Sequence, residues 1–209
     1  MARNPTLNRD ILRLAVPALG ALMAEPLFLI VDTALIGHLG VTQLAGLGIA
    51  AAVLHTIVGL MVFLAYSTTP AVARRFGAGE PGRAVSAGID GMWLALGIGA
   101  VLAVVGSFAT TPLVALFGAT EAVATEAQTY LRLSMWGLPA MLIVFAATGL
   151  LRGFQNTVTP LWIAGLGFTA NALLNLLFIY GFGWGIAGSA LGTVVAQWGM
   201  VGAYVVVVG

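Results

Sequence analysis

Residues 33–73 read TALIGHLGVTQLAGLGIAAAVLHTIVGLMVFLAYSTTPAVA, forty-one positions without one Asp, Glu, Lys or Arg. A helix crosses the hydrocarbon core of a bilayer in about 20 apolar residues, at 1.5 Å of rise each. The stretch is twice that length, so it must hold the end of one span and the whole of another. Gly37-His38-Leu39-Gly40 is where it divides, because paired glycines punctuate a helical run. A second uncharged run of fifty-seven residues extends from Gly153 to Gly209 and needs dividing in the same way.

Working outward, the chain reads as six spans, at about 14–36, 44–73, 84–109, 123–151, 160–180 and 186–209. The breakers between them are Gly37-His38-Leu39-Gly40, Gly77-Ala78-Gly79-Glu80-Pro81-Gly82, Thr111-Pro112 and Gly181-Phe182-Gly183-Trp184-Gly185. Barrel strands are about ten residues of alternating pattern, and these segments are apolar for two dozen or more. Arg3, Arg9 and Arg13 precede an apolar run as in a secretory leader, but that run passes Glu25 without an Ala-x-Ala site. The fold class is therefore all-α, a polytopic membrane bundle. The 209 residues carry eight Arg, no Lys, seven acids and a net charge of +1. Charged residues are 7% of the chain, against roughly 25% in a soluble domain, and mean hydropathy is +1.06. That excludes a soluble enzyme, a disordered chain and a nucleic-acid binder with a basic stripe. The absence of Cys excludes disulfides and thiolate chemistry.

Arginine placement orients the spans. Arg3, Arg9 and Arg13 precede the first, Arg74, Arg75 and Arg83 join the second to the third, and Arg152 follows the fourth. By the positive-inside rule the N-terminus faces the cytoplasm. An Arg-only basic set beside abundant Ala, Gly and Val suggests a bacterial chain from a GC-rich genome, placed in the cytoplasmic membrane. Arg132 departs from the rule, at the interface or paired with Glu126. The Val205–Gly209 end has no charged anchor after it, which reads as one part of something larger.

Ionisable groups at membrane depth are functional candidates by default. Asp32 leads, because no Arg occurs in the first, second, third, fifth or sixth span to pair with it. Glu25 lies seven residues earlier on nearly the same face, as a cavity residue or an interfacial acid. Pro17 and Pro26 can kink the first span. Tyr130 and Ser134, Asn171 and Asn175, and Thr193 and Gln197 are i, i+4 pairs, so three helices carry narrow polar stripes. Their convergence on Asp32 would build a cavity suited to a proton or a small hard cation. The asparagines also read as interhelical glue, Tyr130 as a belt aromatic and Thr193 as bonded to its own helix. His38 reads as an outer-loop residue, Asp90 as interfacial near Arg83, and His55 as a packed, hydrogen-bonded ring. No phosphate loop or nucleophile set is present, so the sequence reads as non-enzymatic.

Ile11-Leu12-Arg13-Leu14-Ala15-Val16-Pro17 and Val31-Asp32-Thr33-Ala34-Leu35-Ile36-Gly37-His38-Leu39-Gly40 resemble the first span of multidrug and toxic compound extrusion (MATE) transporters. Gly149-Leu150-Leu151-Arg152-Gly153-Phe154-Gln155-Asn156-Thr157, Asn171-Ala172-Leu173-Leu174-Asn175 and Gly185-Ile186-Ala187-Gly188-Ser189-Ala190-Leu191-Gly192-Thr193 extend the similarity along the chain. Within the family it runs toward the subgroup resembling DNA-damage-inducible protein F. The resemblance implies twelve spans in two six-helix lobes, with residues 1–209 as the N-terminal lobe and the C-terminal lobe absent. It implies a coupling-cation site at Asp32, Asn171, Asn175 and Thr193, with Tyr130 beside it and Pro17 as the bending proline. Glu25 and Gln197 complete the cavity candidates. The family often has Asp where this chain has Asn175, and losing that carboxylate favours H+ over Na+ at the same four residues. No other cofactor is expected.

The leading functional reading is half of a cation-coupled antiporter exporting amphipathic, often cationic, organic compounds by alternating access. Its partners are those small molecules, the lipid bilayer and the missing lobe, with no nucleic acid. The alternatives are a lipid-linked oligosaccharide flippase of the same superfamily, and a half-sized membrane protein acting as a dimer or scaffold. Flippase cavities tend to be cationic to hold a pyrophosphate, and these spans lack a central Arg or Lys.

Overall fold

The computed structural model describes residues 15–16, 19–20, 23, 26 and 29–208. Pro17, Glu25 and the three N-terminal arginines lie outside the described residues. Among the described residues all regular structure is helical. Helix α1 covers 29–37, followed by α2 (Val41–Met61), α3 (Phe63–Gly77), α4 (Pro81–Ala115) and α5 (Glu121–Ser134). Then come α6 (Leu138–Gly153), α7 (Val158–Leu176) and α8 (Gly185–Val208). Five helical stretches are long and apolar enough to cross a membrane: Val41–Gly77, Pro81–Ala115, Glu121–Gly153, Val158–Gly181 and Gly185–Val208. With the first span, whose described end is α1, they form a six-helix bundle. In a bilayer core the backbone must satisfy its own hydrogen bonds, which is why uncharged runs of this length become helices.

Three of these stretches change helical geometry along their length, one of them at a proline. Proline lacks a donor, and its ring crowds the carbonyl four residues back. Pro139, second residue of α6, does this to Met135, and the chain tightens into a 3₁₀ turn over Met135–Gly137 between α5 and α6. At the other end of the bundle α7 runs into a π turn, Leu177–Gly181, closed by the Phe182 amide on the Leu177 carbonyl at 2.9 Å. The span expected at 44–73 is likewise two helices, α2 and α3, meeting at Val62.

Thr111-Pro112 does not separate two spans; Pro112 lies inside α4, close to its end. Its ring frees only the Phe108 carbonyl, on a residue that is 83% exposed, so the helix continues another turn. The chain leaves after Ala115, where Phe117 and Gly118 bond back to the Val114 and Ala115 carbonyls and Gly118 takes φ 59°. The expected Arg132–Glu126 pair is also absent. The two residues are six apart, on different faces of α5, and Glu126 instead accepts from Gln43 Nε2 at 2.9 Å. Arg83 pairs with Glu80 at 3.1 Å, and Asp90 is exposed.

The α5–α6 crossing is the axis of the bundle. Of its most apolar window 67% is buried, against at most 28% in the other four. Helices α2 and α8 pack on α5, and α3, α4 and α8 pack on α6. Lipid is as apolar as a leucine side chain, so helices in a bilayer associate through close van der Waals fit, which small residues permit. Helix α4 buries Ala84, Gly88, Ala95, Gly99, Ala103 and Gly106 along one face. At Gly99 a Cβ would strike the Pro139 Cα, whereas at Gly97 it would meet open space. Gly99→Leu is therefore expected to destabilise the fold by about 1–3 kcal/mol through overpacking. Gly97→Leu should stay within about 0.5 kcal/mol of the parent. Unfolding midpoints of the detergent-purified variants compare the two, and equal midpoints would count against this packing.

Candidate functional site

Asp32 sits in the fourth position of the described α1 segment and is 4% exposed. Asn171 and Asn175 stand one turn apart on α7, and Ser189 and Thr193 one turn apart on α8. The stripes expected on the first, fifth and sixth spans converge. Asn175 Nδ2 donates to Asp32 Oδ1 at 2.7 Å and to Asn171 Oδ1 at 3.1 Å. Ser189 Oγ donates to the same Asp32 oxygen at 2.8 Å. Asn171 Nδ2 in turn donates to Thr193 Oγ1 at 3.0 Å. The Tyr130 hydroxyl on α5 faces Asp32, Ser189 and Thr193. A carboxylate this deep has no cation beside it among the described residues, so neutral donors from α7 and α8 carry its hydrogen bonding.

The network depends on a close approach of α7 and α8. Gly192 faces the Asn175 side chain, and a Cβ there would overlap Asn175 Oδ1. Gly188 does the same against the Phe178 backbone, at 2.8 Å from its carbonyl carbon. Tyr180, in the π turn, reaches across to donate its hydroxyl to the Leu35 carbonyl at 2.7 Å, a second tie between this helix and α1. Asn175 Oδ1 is buried without a hydrogen-bond partner.

Beside the network lies a cavity of about 320 Å³. Its wall includes Asp32, Asn171, Thr193, Tyr130, Ser134 and Gln197, and otherwise mostly apolar side chains such as Met141, Phe145, Phe168 and Met200. Six expected site residues thus come to one place: Asp32, Asn171, Asn175, Thr193, Tyr130 and Gln197. Asn175 stands behind the wall, reaching the cavity through its neighbours. Pro17 and Glu25 lie outside the described residues. Ser189 was missed by the residue-type argument, since a lone serine carries little signal. Its position one turn before Thr193, on the same face, was the cue. His55 is not a packed ring. It is exposed, bonded through Nδ1 to the Ala51 carbonyl at 2.8 Å, and lines this cavity. His38 bonds the Ala34 carbonyl at 2.7 Å and is exposed at the turn after α1.

Three of the expected coupling-site residues are bonded directly through Asn175, and Thr193 through Asn171. Asn175 turns its amide nitrogen, a donor, toward the carboxylate, and Asn171 Oδ1 already accepts from it. An amide oxygen that accepts one hydrogen bond keeps a second lone pair, and Asn175 Oδ1 accepts none, so oxygens of the kind sodium takes remain here.

The MatE family model matches residues 17–177. Protein DETOXIFICATION 44, chloroplastic, of Arabidopsis thaliana is 31% identical over 204 residues, covering 92% of this chain and 39% of that protein. DNA damage-inducible protein F of Escherichia coli K12 is 29% identical over 192 residues, covering 91% and 42% respectively. The crystal structure of the Vibrio cholerae MATE transporter VcmN in the bent form superposes with a TM-score of 0.90 at 27% identity. That match covers 97% of this chain and 46% of the other. The chain spans about two-fifths of the length of the curated relatives it matches.

Ser189→Ala should destabilise the protein by about 1.5–3 kcal/mol, the range for hydrogen bonds to charged groups. In an Asp32→Leu background the same change should cost measurably less, a coupling of 0.5 kcal/mol or more for groups in contact. Four unfolding midpoints complete this cycle. Additive costs would show that Ser189 and Asp32 do not act as one unit.

Proposed function

The chain belongs to the MatE family, and on that premise we propose that it forms the N-terminal lobe of a proton-coupled exporter of amphipathic organic cations. Its first residues face the cytoplasm of a bacterial cell, in keeping with Arg74, Arg75, Arg83 and Arg152 at one end of the bundle. A second lobe completes the substrate path, and the work done is alternating access rather than covalent chemistry. The observation that carries this reading is the Asp32 carboxylate, buried at the wall of a cavity and held, among the described residues, by neutral donors.

The coupling step follows from hydrogen-bond inventory. Ionised, Asp32 only accepts; protonated, one of its oxygens becomes a donor. Asn175 Nδ2 has two hydrogens and faces Asp32, Asn171 and Ser189. A proton arriving on Asp32 Oδ2 leaves Oδ1 accepting from Asn175 and Ser189 but adds a buried O–H that needs an acceptor, and a buried unpaired polar group costs about 1–3 kcal/mol. Reorienting the Asn175 amide, whose Oδ1 is otherwise unpaired, relieves that cost. The elements that must shift to allow it are α1, α7 and α8. Proton occupancy thereby biases which packing of α1 is favoured, and with it the direction the cavity faces. A lipid-linked oligosaccharide flippase is disfavoured because no Arg or Lys lines the cavity among the described residues.

Asp32→Asn keeps size and hydrogen bonding but fixes the neutral state. In the protein as its gene encodes it, this variant is expected to fold yet lose gradient-driven efflux of ethidium from cells. Efflux at the parent rate, with expression matched, would remove Asp32 from the mechanism.

Coupling by protons also predicts that transport into vesicles follows an imposed pH gradient and persists when choline replaces sodium. A strict sodium requirement would assign Asp32, Asn171, Asn175 and Thr193 to a sodium site instead.

A further inference from the structure

Three ionisable side chains line the 320 Å³ cavity among the described residues: Asp32 from α1, His55 from α2 and Tyr130 from α5. Helices α6, α7 and α8 contribute no titratable group to its wall. His55 is exposed, and its Nδ1 lies 2.8 Å from the Ala51 carbonyl oxygen one turn back. A carbonyl can only accept, so Nδ1 carries the hydrogen and Nε2 keeps its lone pair. The ring is thereby fixed in one tautomer, with a basic nitrogen left to take a proton.

We propose that His55 is a specificity-determining residue, whose charge state decides whether the cavity accepts an organic cation. The inference rests on the exporter reading above and concerns the same site. With Asp32 ionised and His55 neutral the described lining carries one negative charge and suits a monovalent organic cation. With His55 protonated its net charge is zero, and with both protonated it is +1, which repels such a substrate. Imidazole is the side chain whose charge ordinarily changes between pH 5 and 8. Acid on the cavity side therefore expels cargo through two groups on different helices, and His55 sets how steeply.

The test uses tetraphenylphosphonium as the probe, bound to the protein as its gene encodes it, purified in nanodiscs. The readout is the ratio of Kd at pH 5.5 to Kd at pH 8. An Asp32→Asn background removes the titration of Asp32, so any remaining pH dependence belongs to other groups. In that background the ratio is expected to be about ten, the effect of a unit charge across a cavity of this size. Adding His55→Gln, or His55→Phe where the Gln variant does not fold, should bring the ratio close to one. A ratio near one in Asp32→Asn alone overturns the proposal, and so does a ratio that neither His55 variant reduces. Failure of the unsubstituted protein to bind the probe at any pH overturns the exporter reading and this inference with it.

Discussion

The hydrogen bond from Asn175 Nδ2 to Asp32 Oδ1, 2.7 Å long and fully buried, is the constraint around which the lobe is arranged. A carboxylate at membrane depth without a cationic partner is among the costliest groups a helix can carry. It can be kept only where several neutral donors reach it together, which requires three helices to meet at one level. Helix α7 supplies the amide, α8 the Ser189 hydroxyl, and α1 the acid itself. Small residues on α8 make the meeting possible: with any side chain at Gly192 the Asn175 amide could not sit where it does. The polar site and the glycine content of the chain are thus one design seen from two sides.

The same dependence on close fit explains why the α5–α6 crossing is central. Among the described residues it is the most buried of the five stretches, and it brings Tyr130 to the network at one level and Pro139 against Gly99 at another. The 3₁₀ turn at Met135–Gly137 lies between these levels and separates a more polar helix above from a more apolar one below. Gly137, within that turn, faces the Gln197 side-chain oxygen of α8. The turn thus sits at the edge of the cavity, where Gln197 also lies.

Much of this was legible in the amino-acid sequence, for reasons that also mark where legibility stops. Helical class follows from uncharged runs such as 33–73, since only helices and closed barrels satisfy backbone in lipid. The i, i+4 pairs at Asn171/Asn175 and Tyr130/Ser134 were visible because polarity stands out on an apolar helix. Ser189 was not, because a single serine on a membrane helix usually bonds its own backbone. Pro112 misled because proline breaks helices in water, where a freed carbonyl and a kink are easily solvated. Here it falls near a helix end where little is lost. The exposure of His55 in a cavity is a tertiary fact: nothing in the spacing of α2 distinguishes a packed ring from one facing open space.

The π turn at Leu177–Gly181 carries one residue more than an α-helix would use to make the same turn. Each residue of an α-helix advances the side chains by about 100°, so the extra one resets the rotational register of everything after it. Before it, Asn171 and Asn175 point to the carboxylate; after it, Tyr180 is carried round to the Leu35 carbonyl on the same neighbouring helix. One helix can therefore hold α1 by a side chain and by its backbone at once. In the language of sequence alignment this is a one-residue insertion with a structural address. A chain lacking one residue between 177 and 181 would keep its asparagines in place and lose its second grip on the helix that bears the acid.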